Sequence, residues 1–250
     1  LMYGASHGDT RHIILIPHDM NSCFDFARRS FDFADRFQTP VFVAMDLDLG
    51  MNFWSSDPLK LEKESYDYGK RLSAEQLEEW TKAGKKFRRY FDQDGDGIPY
   101  RTVLGNQHRM ASYFTRGSGH DADAKYSEDE NDYKYILDRL KKKFDTARKF
   151  VPKPIVERER GVKTGIICYG SSYEAVREAR DRLKARGLKT NHMLIRALPL
   201  TSEVRDFFVE HDTIYFVEQN RDGQMAAIIK DENPELGAKI VRVLVYNGLL

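Results

Sequence analysis

Apolar residues concentrate at the two ends of the chain and thin out in the middle. Residues 12–16 (His-Ile-Ile-Leu-Ile) make a short continuous apolar run closed by Pro17, the pattern of a strand buried in a parallel sheet. Asn21 or Ser22 can cap a helix reaching about Phe37, in which Phe24, Ala27, Phe31 and Ala34 recur at spacings of three and four and define a face that packs on a sheet. Gln38-Thr39-Pro40 breaks it, and residues 41–45 (Val-Phe-Val-Ala-Met) read as the next buried strand. Such a β–α–β unit implies a right-handed crossover.

Residues 54–160 change character, being rich in charge, Tyr and Gly without a strong strand pattern. Ser73-Ala74-Glu75-Gln76 is a capping box that opens a short helix. Residues 92–126 read as loop. Residues 128–150 read as a long charged helix with Tyr133, Ile136, Leu140, Phe144 and Ala147 as its apolar stripe, stopped by Pro152 and Pro154. The pattern suits a long connector without a core of its own. Order returns with strands at 163–169, 190–196, 213–218 and 239–245, alternating with helices from Ser171 or Ser172 to about Arg186, near 202–210, and at 223–231. Gly187 stands where a helix end needs a left-handed residue. The alternation predicts a compact α/β domain with a mostly parallel sheet.

Composition narrows the function classes. The chain has 250 residues, enough for one large or two small domains, and a net charge of +1 from 40 basic and 39 acidic residues. That balance gives no global electrostatic case for nucleic acid or an anionic membrane. No apolar run approaches the roughly 20 residues that span a bilayer. Cys23 and Cys168 sit in apolar sequence and read as small buried hydrophobes in a reducing cytoplasm. Two cysteines cannot supply a four-thiolate cluster site.

Several local motifs carry possible chemistry. Asp92-Gln93-Asp94-Gly95-Asp96-Gly97 resembles the opening of a calcium loop, but Val103 stands where the bidentate Glu would be, so an Asp/Gly-rich turn is the competing reading. Tyr169-Gly170-Ser171-Ser172 is a strand-to-helix corner that either binds phosphate at the helix N-terminus or is a plain turn. His7-Gly8-Asp9, Arg116 to Asp121 and Glu218 to Arg221 join glycine flexibility or a strand end to ionisable groups. His108 and His120 are too isolated to argue for a metal site, and no metal ligand set is assigned.

The strings Tyr3-Gly4-Ala5-Ser6-His7-Gly8-Asp9, Met45-Asp46-Leu47-Asp48-Leu49-Gly50-Met51-Asn52 and Asp94-Gly95-Asp96-Gly97-Ile98-Pro99-Tyr100-Arg101 resemble the alpha subunit of 2-oxoacid:ferredoxin oxidoreductases. So do Tyr113-Phe114-Thr115-Arg116-Gly117-Ser118-Gly119-His120-Asp121 and Val217-Glu218-Gln219-Asn220-Arg221-Asp222, in order along nearly the whole chain. The pattern is most similar to the 2-oxoglutarate type. The resemblance implies the end of a thiamine-pyrimidine-type α/β domain over 1–53, a connector over 54–155, and a transketolase C-terminal-like domain over 156–250. It implies a fragment lacking an N-terminal part, because the family's Tyr-Pro-Ile-Thr-Pro motif and its activating glutamate would precede Leu1.

The same resemblance implies thiamine diphosphate with Mg2+ and a [4Fe-4S] cluster, the last two mainly on a beta subunit, and coenzyme A as co-substrate. It implies a heterotetramer, electron transfer to ferredoxin and a 2-oxoacid substrate, with no catalytic residue inside this chain. His7, Gly8, Asp9, Asp46, Gly50 and Asn52 are then expected near the cofactor, and Arg116, His120, Glu218 and Asn220 at an interface. The alternatives are a non-redox or dehydrogenase-complex thiamine enzyme and a non-catalytic cation-binding scaffold.

Overall fold

The computed structural model describes residues 1–6, 9–59, 65–116 and 119–248. The chain forms two compact units: a first of Leu1–Ile13, Phe31–Val41 and Lys63–Phe150, and a second of Ile14–Ser30, Phe42–Glu62 and Val151–Leu250. In chain order the elements are β1 (Ile13–Leu15), α1 (Met20–Phe37), β2 (Val41–Val43), α2 (Leu47–Met51), α3 (Ala74–Lys82) and α4 (Glu130–Ala147). They continue with β3 (Ile155–Glu157), β4 (Thr164–Tyr169), α5 (Ser172–Ala185), β5 (Asn191–Ile195), β6 (Ala197–Leu198), α6 (Ser202–Glu210), β7 (Thr213–Glu218), α7 (Gln224–Glu232) and β8 (Ile240–Leu244).

The second unit is built on a five-stranded sheet of order β3-β5-β4-β7-β8. β5, β4, β7 and β8 run parallel, and β3 adds antiparallel at one edge. This is the α/β class that the alternation predicts. Strand side chains alternate between the faces. Ile166, Cys168 and Leu194 meet Val176 of α5 on one face. On the other, Gly165 lies so close to Phe207 of α6 that a Cβ would stand 2.6 Å from its ring. Over β7 and β8 the α5-side face stays open, with Tyr215, Val241 and Val243 exposed. A smaller sheet of order β2-β1-β6 joins β1 antiparallel to β6, a pairing that two residues of sequence do not announce.

Two expectations for α1 are corrected. The cap is Asp19, whose Oδ1 accepts the Ser22 amide at 2.7 Å while the Ser22 Oγ accepts the Asp19 amide at 3.0 Å. The buried stripe is Phe26, Phe33 and Phe37, whereas Ala27 and Phe31 are exposed. Aromatics occur on several sides of this helix, so spacing alone does not select the packed side.

In the first unit, the predicted Ser73/Gln76 capping box opens α3. Leu72, Leu77, Phe87 and Ala111 form a small buried cluster, with Trp80, Tyr100 and Met110 against it. The expectation that this stretch lacks a core is thereby corrected. In α4, Ile136 and Ala147 are buried as expected, Tyr133 is exposed, and Arg139 is buried among the apolar positions.

Candidate functional site

In the five-stranded sheet, β4 leads through α5 to β5 on one side and β7 leads through α7 to β8 on the other. The chain thus departs in opposite directions at the carboxyl ends of β4 and β7, where open α/β sheets usually place ligands. Tyr169-Gly170-Ser171 and Glu218-Gln219-Asn220 meet there. Glu218 is 1% exposed, and its Oε2 accepts the Tyr169 hydroxyl at 3.0 Å, the Asn220 Nδ2 at 3.0 Å and the Met225 amide at 2.9 Å. Its Oε1 accepts the Ala226 amide at 3.0 Å. Those amides are in the first turn of α7, so Glu218 caps that helix from the end of the preceding strand. Asn220 Oδ1 accepts a further first-turn amide, from Gln224, at 3.1 Å. Burial, followed by the Glu218 charge, pushes the Tyr169 phenol above its ordinary value.

The neighbouring helix is closed in the same way. Asp46 Oδ2 accepts the Ser171 amide at 2.7 Å, and its Oδ1 accepts the Leu49 amide of α2 at 3.0 Å. Gly170 has φ +62°, and a Cβ there would lie 2.5 Å from Asp46 Oδ2. The corner therefore holds its own carboxylate at the position where a phosphate would bind. Gln219 Nε2 donates to the Ser171 Oγ at 3.2 Å and links the two halves of the crevice.

Of the residues singled out from sequence, Asp46, Glu218 and Asn220 thus come together. Gly50 is exposed on α2 and Asn52 is exposed at its end, where Asn52 donates to the Asp48 carboxylate. Asp9 is exposed, and His7 and Gly8 lie outside the described residues. Arg116 and His120 belong to the first unit. Arg116 lies over the Tyr126 ring at 5.6 Å, and His120 stacks on Tyr90 with centroids 3.9 Å apart. Sequence reasoning took Tyr169 to Ser172 as a phosphate-binding corner or a plain turn and did not foresee that Tyr169 pairs with Glu218 and Ser171 with Asp46.

The acidic turn is occupied by a side chain. Lys70 Nζ lies 2.7 Å from Asp94 Oδ2 and 2.8 Å from Asp96 Oδ1, and it donates to the Ile98 carbonyl at 3.0 Å. Burial opposes ionisation of Asp94, but hydrogen bonds from Lys70 and Tyr100 hold its carboxyl below the ordinary range. Among the described residues, no group of three or more His, Cys, Asp or Glu is arranged to hold a metal.

A thiol–imidazole pair also stands in the second unit. Cys168 Sγ is 3.3 Å from His192 Nε2, and both residues are fully buried. Burial draws the His192 imidazole down to about 4 and pushes the Cys168 thiol up. The pair is neutral, without the thiolate that a nucleophile needs. Among the described residues, no helix is long and apolar enough to cross a membrane.

No protein-family model matches the chain. Its sequence is 25% identical over 232 residues, 90% of the chain, to 2-oxoacid:ferredoxin oxidoreductase 2, subunit alpha, of Aeropyrum pernix. It is 30% identical over 237 residues to subunit alpha of oxidoreductase 1 of the same organism. It is 26% identical over 228 residues to the 2-oxoglutarate synthase subunit KorA of Methanothermobacter thermautotrophicus. The chain spans 34% and 35% of the two Aeropyrum relatives and 56% of the third. All of it superposes, with a TM-score of 0.83 and 22% identity, on 41% of a chain of 2-oxoglutarate:ferredoxin oxidoreductase from Magnetococcus marinus, solved with 2-oxoglutarate, coenzyme A and succinyl-CoA bound.

Proposed function

We infer that this chain, a relative of 2-oxoacid:ferredoxin oxidoreductase alpha subunits, is a segment of such a subunit and supports oxidative decarboxylation of a 2-oxoacid. The similarity along about nine-tenths of the chain carries this reading. 2-Oxoglutarate is the proposed substrate, favoured by the likeness to a 2-oxoglutarate synthase subunit. Coenzyme A takes the acyl group, and ferredoxin takes the electrons.

The residues described do not themselves fit a thiamine diphosphate–Mg2+ site. Both Asp46 oxygens already accept backbone amides, and no metal-suited cluster of acids is present among the described residues. Two free cysteines likewise do not fit a four-thiolate cluster. The thiamine diphosphate, which supplies carbanion chemistry when bound, would sit between alpha and beta subunits, with Mg2+ and the [4Fe-4S] cluster held mainly by the beta subunit. The His7–Asp9 and Asp46–Asn52 loops would border the cofactor, and Arg116, His120, Glu218 and Asn220 would steady the interface, the last two through α7. We assign residues 1–53 to the pyrimidine-type domain, 54–155 to the connector, and 156–250 to the transketolase C-terminal-like domain. Free thiols in both cysteines fit a cytoplasmic location.

This chain's part is then to position and to bind a partner. Met45, Leu47, Met51 and Phe53 are exposed around α2, an apolar patch of the kind that marks subunit contacts. The test is anaerobic co-expression of the polypeptide carrying this segment with a beta subunit. Ferredoxin reduction would be followed with 2-oxoglutarate, pyruvate and branched 2-oxoacids, with and without coenzyme A. Coenzyme A-dependent reduction with 2-oxoglutarate supports the reading. A complex that contains thiamine diphosphate and iron yet reduces nothing with any acid refutes it and favours a non-redox thiamine enzyme.

A further inference from the structure

Among the described residues, the first unit contains a group of cations, Arg89, Arg139 and Lys143, two of which keep a buried guanidinium nitrogen without a hydrogen-bond acceptor. Arg139 on α4 is 6% exposed, and among the described residues its side chain donates from Nη1 to the Gly97 carbonyl at 3.0 Å. Its Nε is buried without a partner, as is the Nη1 of Arg89. Among the described residues, Arg89 donates from Nε to the Tyr113 hydroxyl, at 3.2 Å. Both guanidinium groups approach the Tyr90 ring, Arg89 at 4.7 Å and Arg139 at 5.9 Å from its centroid. One turn along α4, Lys143 donates to the Gln38 carbonyl at 3.3 Å. Burial, then Arg139 and Arg89, draw its amine down to about 7. Burial disfavours the Arg139 charge, and Tyr135, Asp92 and Tyr90 favour it; the Asp92 carboxylate already pairs with Lys142 at 3.3 Å and accepts the Asp96 amide at 2.9 Å.

Buried positive charges without a counter-ion are costly, and guanidinium nitrogens left without acceptors add to that cost. Arg presents a planar fork of donors suited to carboxylate and phosphate oxygens. We propose that Arg89, Arg139 and Lys143 form a binding site for one small oxyanion, a phosphate-type or a carboxylate ion. The anion accepts from Arg139 Nε and Arg89 Nη1 and offsets the Lys143 charge.

The test is calorimetric titration of the 250-residue chain with sodium phosphate and, separately, sodium acetate, with chloride holding ionic strength constant. Phosphate or acetate should bind at one site with a Kd on the order of 1 mM or tighter and raise the melting temperature with the logarithm of anion concentration, by roughly 5–10 °C at about a hundred times the Kd. The stronger arm identifies the anion as tetrahedral or planar. Arg89→Gln, at a half-buried position, should weaken binding about tenfold, and Arg139→Gln should abolish it. Arg88→Gln, whose guanidinium pairs instead with Asp123, should leave it unchanged. No saturable binding in either arm overturns the proposal. So does a rise that persists undiminished in folded Arg89→Gln, because general salting of the surface explains that result.

Discussion

Removing the Glu218 carboxylate should loosen α7 more than any other single polar change in the second unit. Glu218→Ala leaves the Met225 and Ala226 amides without acceptors and the Tyr169 hydroxyl proton without one, although that oxygen still accepts from Asn220 Nδ2. Loss of a helix cap costs about 1–2 kcal/mol. A buried hydroxyl with no acceptor costs roughly 1–3 kcal/mol more. Contributions within one network do not add fully, so a loss of about 3 kcal/mol is expected. Glu218→Gln retains one oxygen but turns an amide group toward the donors on the other side, and should fall between. The assay is native-state hydrogen exchange at Met225 and Ala226, chosen because two units need not melt as one transition. A loss of about 3 kcal/mol accelerates exchange there roughly a hundredfold. Unchanged exchange in Glu218→Ala would mean that the packing of Met225, Ala226 and Ile229 holds the helix and that the carboxylate is dispensable.

Other outcomes follow from the same geometry. Gly97→Ala should destabilise the first unit by at least about 3 kcal/mol, seen as faster limited proteolysis, because φ is +80° and the new Cβ would stand 2.3 Å from the Lys143 amide nitrogen. The Lys143 amine titrates near 7 when folded, against about 10.4 when unfolded. From pH 7 to 10 the unfolded state binds more protons, so first-unit stability in chloride should rise with pH. The gain should be roughly 1–2 kcal/mol after discounting for the half-buried side chain, and Lys143→Met should flatten the profile. A profile that is already flat in the native chain would contradict the burial of that charge. In thiol labelling, Cys23 should react in the native chain and Cys168 only after unfolding, since Cys168 is fully buried. Rapid labelling of both would show that the β4–β5 region opens readily.

The second unit was legible because its strands are short apolar runs bounded by turns and alternate with helices: strand 213–218 and helix 202–210 are observed as read. The side of α1 that packs was not legible, since Phe24 and Phe31 compete with Phe26 and Phe33 in a helix with aromatics all round. The small core of the first unit escaped because Leu72, Leu77, Phe87 and Ala111 come from turns and one short helix, with no period to detect. At the crevice, the acidic residues could be named but not their partners. Asp46 meets Ser171 across 125 positions of chain, and no local pattern encodes such a contact. The Asp-rich turn looked like a cation loop because its neutralising residue, Lys70, lies 26 positions before Asp96.

That lysine makes the turn a receptor joined covalently to its own ligand. A tethered ammonium acts at an effective concentration on the order of millimolar or above, and dilution cannot remove it. The geometry around Asp94 and Asp96 is therefore set once, when the chain folds, and does not follow the supply of divalent ions. Chelators leave it in place, and added calcium would have to displace a partner that never leaves the vicinity.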